Sequence, residues 1–335
     1  MYFASIDAHS KVLRLAVLDK SALIVREAEI PCDADQLREV LAPFRPLRVV
    51  VETCPFWPWI ADTLQGPDVD FRLAHATKLR AIASSPQKND RVDTHLLGRM
   101  LHSDLIPYAY PRSPDERETL RLLRHRVALV RTRSALAARI HSQLHQANLV
   151  LAREQLLRAG TRAWLLQVGE QRLTREQLRL LRGHFALVDA LKPQIRELDR
   201  DIRRLSQNDP LVGRLRTVPG IGRFWALLLA AELRPLSRYP DEAHFVSYCG
   251  LVPVTRSSGG HTRYGSLPKA ANRWVRWALI SATAKHVQHA PDSPITRYYE
   301  RQAARLGWKK ARVAAAHKLA GVLFHMLRRD QAWRG

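Results

Sequence analysis

The sequence predicts an α/β domain followed by an all-α remainder, on three observations. Short β-branched and apolar runs alternate with helix starts over residues 1–104. Apolar residues then recur at helical spacing, from Leu120 to Leu144 and from Val188 to Leu205. The charge divides along the same line. Residues 1–104 hold 13 Lys/Arg against 14 Asp/Glu, residues 105–209 hold 20 against 11, and residues 210–335 hold 21 against 6.

The elements follow in order. Tyr2 to Asp7 and Val12 to Leu18 read as a hairpin, and Leu23 to Ile30 as a third strand. Asp33 or Asp35 can cap a helix ending near Leu41. Leu47-Arg48-Val49-Val50-Val51, ending at Glu52, has the unbroken apolar character of a buried central strand. A helix over Trp57–Leu64, a strand over Val69–Leu73 and a further helix complete a mixed sheet. Residues 105–115 form a proline-punctuated linker. Ser113-Pro114-Asp115-Glu116 then starts a helix with serine as cap, proline at the first position and Glu116 closing a capping box. The stripe Leu120, Leu123, Val127, Val130, Ala137, Leu144 and the stripe Val188, Leu191, Ile195, Leu198, Ile202, Leu205 are heptad-like, with Pro193 expected to kink or delay the second helix. They fit an antiparallel or intermolecular coiled coil, or amphipathic helices of a bundle. Residues 210–335 read as helical with one glycine-rich interruption at Ser257-Ser258-Gly259-Gly260. The expected division is 1–110, 111–208 and 209–335.

A formal charge of +23 over 335 residues points to a polyanion. The basic residues are not gathered on one amphipathic terminal helix, which favours nucleic acid over a membrane surface. Apolar residues at 46% exclude a largely disordered chain. No apolar run approaches the ~20 residues of a membrane span. The first residues lack the pattern of a secretory signal. Three scattered cysteines, Cys32, Cys54 and Cys249, argue against a disulfide framework or zinc cluster and fit a reducing, cytoplasmic setting.

Four carboxylates are the candidate chemistry of the first domain. Asp7 ends the first strand and Glu52 the apolar one. Asp90 and Asp93 stand three apart, on one face of a helix start. Strand ends converge on one sheet edge, where sites usually form. Four carboxylates gathered there repel unless divalent cations neutralise them, and two cations roughly 4 Å apart can serve both oxygens of a phosphoryl displacement. Taken singly, each is an ordinary surface acid.

The basic part offers three further features. Six arginines and no acid lie between Thr119 and Gln146, including Arg121, Arg124 and Arg131, which suggests phosphate contact. Val218-Pro219-Gly220-Ile221-Gly222, before an apolar helix, resembles the hairpin of a helix-hairpin-helix element. Gly220 and Gly222 would let backbone N–H groups reach a phosphate, or would simply pack two helices. Ser257-Ser258-Gly259-Gly260 is flanked by Arg256, Arg263, Lys269, Arg273 and Arg276. A serine there could attack a phosphodiester beside cations that steady the transition state, or the loop could be only a loop.

As an ordered set, these motifs resemble the insertion-sequence transposases with a DEDD tetrad, also described as bridge-RNA-guided serine recombinases. Ser5-Ile6-Asp7, Val50-Val51-Glu52-Thr53 and Lys88-Asn89-Asp90-Arg91-Val92-Asp93 look like that family's three tetrad motifs. Tyr248-Cys249-Gly250-Leu251-Val252-Pro253, Ser257-Ser258-Gly259, Lys269 with Asn272 and Arg276, and Ala315-Ala316-His317-Lys318 look like its C-terminal transposase domain. The resemblance implies an RNase H-like (RuvC-like) fold for the first domain, with Asp7, Glu52, Asp90 and Asp93 as Mg²⁺ ligands, two ions in all. It implies Ser258 as nucleophile with Ser257 as fallback, donor and target DNA as substrates, a noncoding bridge RNA as guide, and a homo-oligomer with a composite active site. Cys54-Pro55 and Ala270-Ala271 depart from that family's usual small or basic residues and glycine.

The expected function is therefore Mg²⁺-dependent strand cleavage and exchange through a serine. Two rivals remain. One is a RuvC-type junction endonuclease hydrolysing with metal-bound water, which needs the tetrad and not the serine. The other is a non-catalytic nucleic-acid-binding protein, which needs neither.

Overall fold

The computed structural model describes residues 1–82, 90–152, 155–258 and 261–334, with the backbone alone at 81, 90–93, 256, 258, 261 and 262. It divides into two compact units, Met1–Arg117 and Glu118–Gly335.

The first unit opens with β1 (Tyr2–Ala8), β2 (Val12–Leu18) and β3 (Ile24–Pro31), followed by α1 (Ala34–Leu41), β4 (Leu47–Glu52), α2 (Trp57–Thr63), β5 (Val69–Ala74), α3 (Ala76–Ile82), α4 (Asp90–His102) and β6 (Tyr108–Ala109). The sheet order is β3-β2-β1-β4-β5-β6. β1, β2 and β3 pair antiparallel, β4 and β5 run parallel to β1 in succession, and β6 closes the edge antiparallel to β5. The sheet is thus mixed, as expected. β6 is an addition. The segment read as a proline linker places two residues between Pro107 and Pro111 against β5, too short a run to alternate.

Both sheet faces are covered. Ala4, Ile6, Leu13, Leu15, Val49 and Val51 pack with Leu37, Leu41, Ile60 and Leu64 of the α1–α2 side. Val50 and Ala74 pack with Leu79, Leu97, Met100 and Leu101 of the α3–α4 side. Burial on both faces explains why β4 reads as an unbroken apolar run. Asp33 caps α1, its carboxylate accepting from the Asp35 and Gln36 amides.

The second unit contains most of α5 (Pro114–Gln146), then α6 (Ala159–Arg172), α7 (Arg175–Gln207), α8 (Pro210–Leu215), α9 (Arg223–Leu233) and α10 (Glu242–Tyr248). A hairpin of β7 (Thr255–Ser258) and β8 (His261–Tyr264) follows, then α11 (Arg273–His289), α12 (Pro294–Leu306) and α13 (Trp308–Arg328). The expected capping box starts α5: Ser113 Oγ accepts from the Glu116 amide at 3.2 Å, and Glu116 Oε2 accepts from the Ser113 amide at 2.8 Å.

α5 and α7 lie antiparallel within one chain. Gln143 Nε2 donates to the Gln177 carbonyl, while Arg126 Nε donates to Asp199 Oδ1 at 3.0 Å. Ile140 and Leu144 share a core with Leu165, Leu181 and Phe185. α7 is not delayed by Pro193: it begins at Arg175 and carries the proline inside it. The largest core joins Leu120 and Leu123 of α5 to α8, α9, α11 and α13. On either side of the expected glycine-rich interruption two short strands pair antiparallel, with Thr255 opposite Tyr264 and Ser258 opposite His261. Among the described residues, no helix is long and apolar enough to cross a membrane.

Candidate functional site

The first carboxylate pair follows from strand register. β1 and β4 run parallel with Ser5 beside Val50 and Ile6 beside Val51. One step further along the same register lie Asp7 and Glu52. Side chains alternate along a strand, so Asp7 shares the face of Ser5, and Glu52 that of Val50. That face is the one α4 covers. Val50 packs with Leu97 and Leu101 of α4, and Ser5 Oγ donates to the Thr94 carbonyl at 2.7 Å. Two neighbouring strands therefore deliver two acids to the same face, at their C-terminal ends.

α4 brings the second pair toward them. It begins at Asp90, and Asp93 immediately precedes Thr94. Gly98 makes the close approach possible, since a Cβ there would stand 2.7 Å from Leu18 Cδ1 and 3.1 Å from Ser5 Oγ. The backbone thus carries the Asp90–Asp93 turn to the sheet edge where Asp7 and Glu52 end. The Asp90 and Asp93 side chains lie outside the described residues.

Asp7 is partly exposed, and its Oδ2 lies 3.0 Å from His9 Nε2. The Cys54 thiol reports a shared electrostatic environment. Burial raises its pKa above the ordinary value, amides of Phe56 and Trp57 oppose that, and both the Glu52 and Asp7 carboxylates push it up further. A concentration of negative charge with hard oxygen donors and access to solvent suits a divalent cation. Among the described residues no group of three or more potential ligands is complete.

In the second unit, Ser258 is the last residue of β7, paired with His261 across the hairpin. Ser257 is exposed, while the Ser258 side chain, the Arg256 side chain and Gly259–Gly260 lie outside the described residues. Arg263, Lys269 and Arg273 are exposed around this hairpin and the start of α11.

Arg276 is differently placed. Its guanidinium donates to the Pro268 carbonyl and lies under Gly250, where a Cβ would come within 2.6 Å of Nη2. Burial lowers its pKa. Gly220 likewise has a packing reason to be glycine. Its φ is +89°, and a Cβ would meet the α11 backbone, 2.5 Å from His286 N and 2.6 Å from Ala282 O. Gly222 is the N-cap of α9, with no side-chain cap and open space where its Cβ would be.

The arginines of α5 divide too. Arg124 Nη2 donates to Glu232 Oε1 at 2.8 Å, and Glu232 is fully buried. Arg126 pairs with Asp199. Arg121 pairs with Glu118 one turn back. Arg131 lies over the Trp274 and Trp277 rings, 5.8 and 5.3 Å from their centroids.

Glu232 is the residue that sequence reasoning passed over, because it sits inside an apolar helical run. Its Oε2 accepts from Asn272 Nδ2 at 2.9 Å, and Asn272 Nδ2 also reaches the Tyr248 hydroxyl at 3.0 Å. Asn272 Oδ1 in turn caps α11, accepting from the Trp274 and Val275 amides. A single buried carboxylate therefore ties the arginine helix α5 to the cationic start of α11. A lone acid in an otherwise acid-free stretch was the available signal.

These two halves, an acid-edged mixed sheet and a basic helical unit with a serine hairpin, define a nucleic-acid-processing protein. The chain belongs to the IS116/IS110/IS902 transposase family. Residues 212–300 match the family model described as "Transposase IS116/IS110/IS902 family", and residues 4–149 match the DEDD transposase domain of IS110 type. The chain is 26% identical over 300 residues to the transposase for insertion sequence element IS1328 of Yersinia enterocolitica, covering 86% of this chain and 89% of that one. It is 25% identical to a probable family 20 transposase of Pseudomonas aeruginosa, covering 98% and 97%. It is 22% identical to the transposase for insertion sequence element IS1111A of Coxiella burnetii, covering 98% and 90%. The family acts in DNA transposition, and a domain of the DEDD type implies dependence on a divalent metal.

Proposed function

We propose that the chain cleaves and exchanges DNA strands through Ser258, with Asp7, Glu52, Asp90 and Asp93 as ligands for Mg²⁺, in an RNase H-like domain. The observation that carries this reading is the juxtaposition of Asp7 and Glu52 at the ends of parallel neighbours, under the helix that begins at Asp90. Bound Mg²⁺, two ions in the full site, would supply charge neutralisation and polarise the scissile phosphate. The carboxylates hold that charge at a fixed edge, and the Ser5–Thr94 bond fixes the helix that carries two of them.

Ser258 Oγ attacks phosphorus and forms a phosphoserine ester, while the bond to the leaving strand oxygen breaks. The serine proton passes to a basic oxygen at the site, and the leaving oxygen takes up a proton. In the second half-step a strand hydroxyl attacks the same phosphorus, releasing the serine hydroxyl. Arg263, Lys269 and Arg273 steady the phosphate charge. Arg121 and Arg131 add contacts along the backbone, with Gly222 at the start of α9 as a phosphate-facing turn. Arg124, Gly220, Arg256 and Arg276 complete the expected cationic and glycine set, with Arg124, Gly220 and Arg276 shaping it from within.

A homo-oligomer whose active site combines one subunit's acids with another's serine is the assembly that the family resemblance implies. Sequence choice by a noncoding bridge RNA fits the excess of backbone-binding cations, with base pairing reading the target.

Trapping the intermediate is the test. Denaturation of a reaction with end-labelled donor DNA should leave label covalently on the protein, lost in Ser258→Ala and kept in Ser257→Ala. Cleavage without any adduct, undiminished in Ser258→Ala, would favour the hydrolytic junction endonuclease.

A further inference from the structure

Beyond residue 300, where the C-terminal family match ends, the chain carries a surface with no assigned role. α12 and α13 meet at Gly307, whose φ of +76° turns the chain sharply. At this corner Trp308 is 54% exposed and Leu306 39% exposed. Large apolar side chains are ordinarily kept from water, and tryptophan in particular has a base-sized flat face.

The flanking sequence is cationic. Arg301, Arg305, Lys309 and Lys310 are all exposed, and no acid occurs from Arg301 to Arg329. The nearest acid before them is Glu300, on α12. Lys309 Nζ lies 5.3 Å and Arg312 Cζ 5.0 Å from the Trp308 ring centroid. Both cations lie over the ring, and more than half of the residue still faces solvent. The first amides of the 21-residue α13 have no side-chain cap, which adds donors beside the cations.

An exposed ring among cations is the combination that holds an unpaired strand: bases stack on the ring and phosphates meet the cations. Duplex DNA presents phosphates but no free base face. We propose that the α12–α13 corner binds single-stranded DNA, with one base stacked on Trp308 and its flanking phosphates on Lys309, Lys310 and Arg312. Strand exchange, on the function proposed above, exposes such a segment, and the site would hold it.

The test uses the full chain in chelator, so no cleavage occurs and the outcome does not depend on the carboxylates or on Ser258. Affinities for a dT20 strand, an rU20 strand and a 20-base-pair duplex are measured by anisotropy across a salt series. Trp308→Ala should weaken dT20 binding about tenfold, Trp308→Phe should restore most of it, and duplex affinity should stay within twofold. The Lys309→Gln, Lys310→Gln double variant should lower the salt slope for dT20 by about 1.4. The proposal is overturned if Trp308→Ala leaves dT20 binding within twofold. An equal loss on the duplex overturns it as well, and so does a loss confined to rU20.

Discussion

Ser5 Oγ donates to the Thr94 carbonyl at 2.7 Å, joining two residues 89 positions apart and fixing α4 on β1. The bond lies two residues from Asp7 and one from Asp93, so it sets where the second acid pair sits relative to the first. Both partners are buried, Ser5 at 0% and Thr94 at 3% exposure. Ser5→Ala removes one buried hydrogen bond between β1 and α4, at a cost of about 0.5–1.5 kcal/mol. Urea unfolding should report that loss, and strand cleavage should fall more than the unfolded fraction explains. Unchanged cleavage would separate α4 position from the chemistry.

Gly98 packs against the same serine. Gly98→Ala must displace the buried Leu18 side chain, and overpacking of this kind costs roughly 1–3 kcal/mol. A thermal midpoint lowered by several degrees, with cleavage reduced as for Ser5→Ala, is the expected pair of results.

Gly220 and Gly222 make opposite predictions. Gly220→Ala places a Cβ on the α11 backbone at a positive φ, so the second unit should be destabilised by more than about 3 kcal/mol. Gly222→Ala meets open space and should cost about 1 kcal/mol or less. DNA affinity lost in Gly222→Ala at nearly full stability would mark the turn as a phosphate contact.

Glu232→Ala removes an acceptor from both Arg124 and Asn272, but Arg124 is 43% exposed and Asn272 keeps the Tyr248 hydroxyl. A loss of about 1–3 kcal/mol is expected, and Glu232→Gln should lose less. Denaturant titration of both variants checks the order.

His286 gives the second unit a pH dependence. It is fully buried, its Nδ1 donating to the Pro219 carbonyl at 2.9 Å and its Nε2 lying 2.7 Å from Ser293 Oγ. Burial lowers its pKa below the ordinary 6.5, partly opposed by the Pro219 bond. The folded ring stays neutral while the unfolded ring takes up a proton, so stability falls as pH drops below about 6.5. Unfolding free energy measured from pH 7.5 to 5 should decline, and less steeply in His286→Gln.

The strands of the first unit were legible because burial leaves a local record. β4 is apolar on every side chain but Arg48 and Glu52, and β2 was delimited to the residue at Val12 and Leu18. β6 left no such record, since two residues gain their place only from pairing with Leu73 and Ala74. Arg124 and Arg126 look available in the sequence because their acids are remote: Glu232 is 108 residues from Arg124, and Asp199 is 73 from Arg126. Charge counted along a helix cannot see partners that folding brings from elsewhere. Asp7 and Glu52 were readable as strand ends, whereas their adjacency is a fact of register.

The shared action of the four acids is the claim on which the account rests, and Mg²⁺-dependent cleavage of a donor DNA tests it most directly. Asp7→Asn, Glu52→Gln, Asp90→Asn and Asp93→Asn should each lower the cleavage rate by about 10²-fold or more, and the double variant Asp7→Asn, Asp93→Asn should lose little beyond the worse single change. Any one of the four cleaving at more than half the parent rate, with its fold intact by circular dichroism, would contradict a common site.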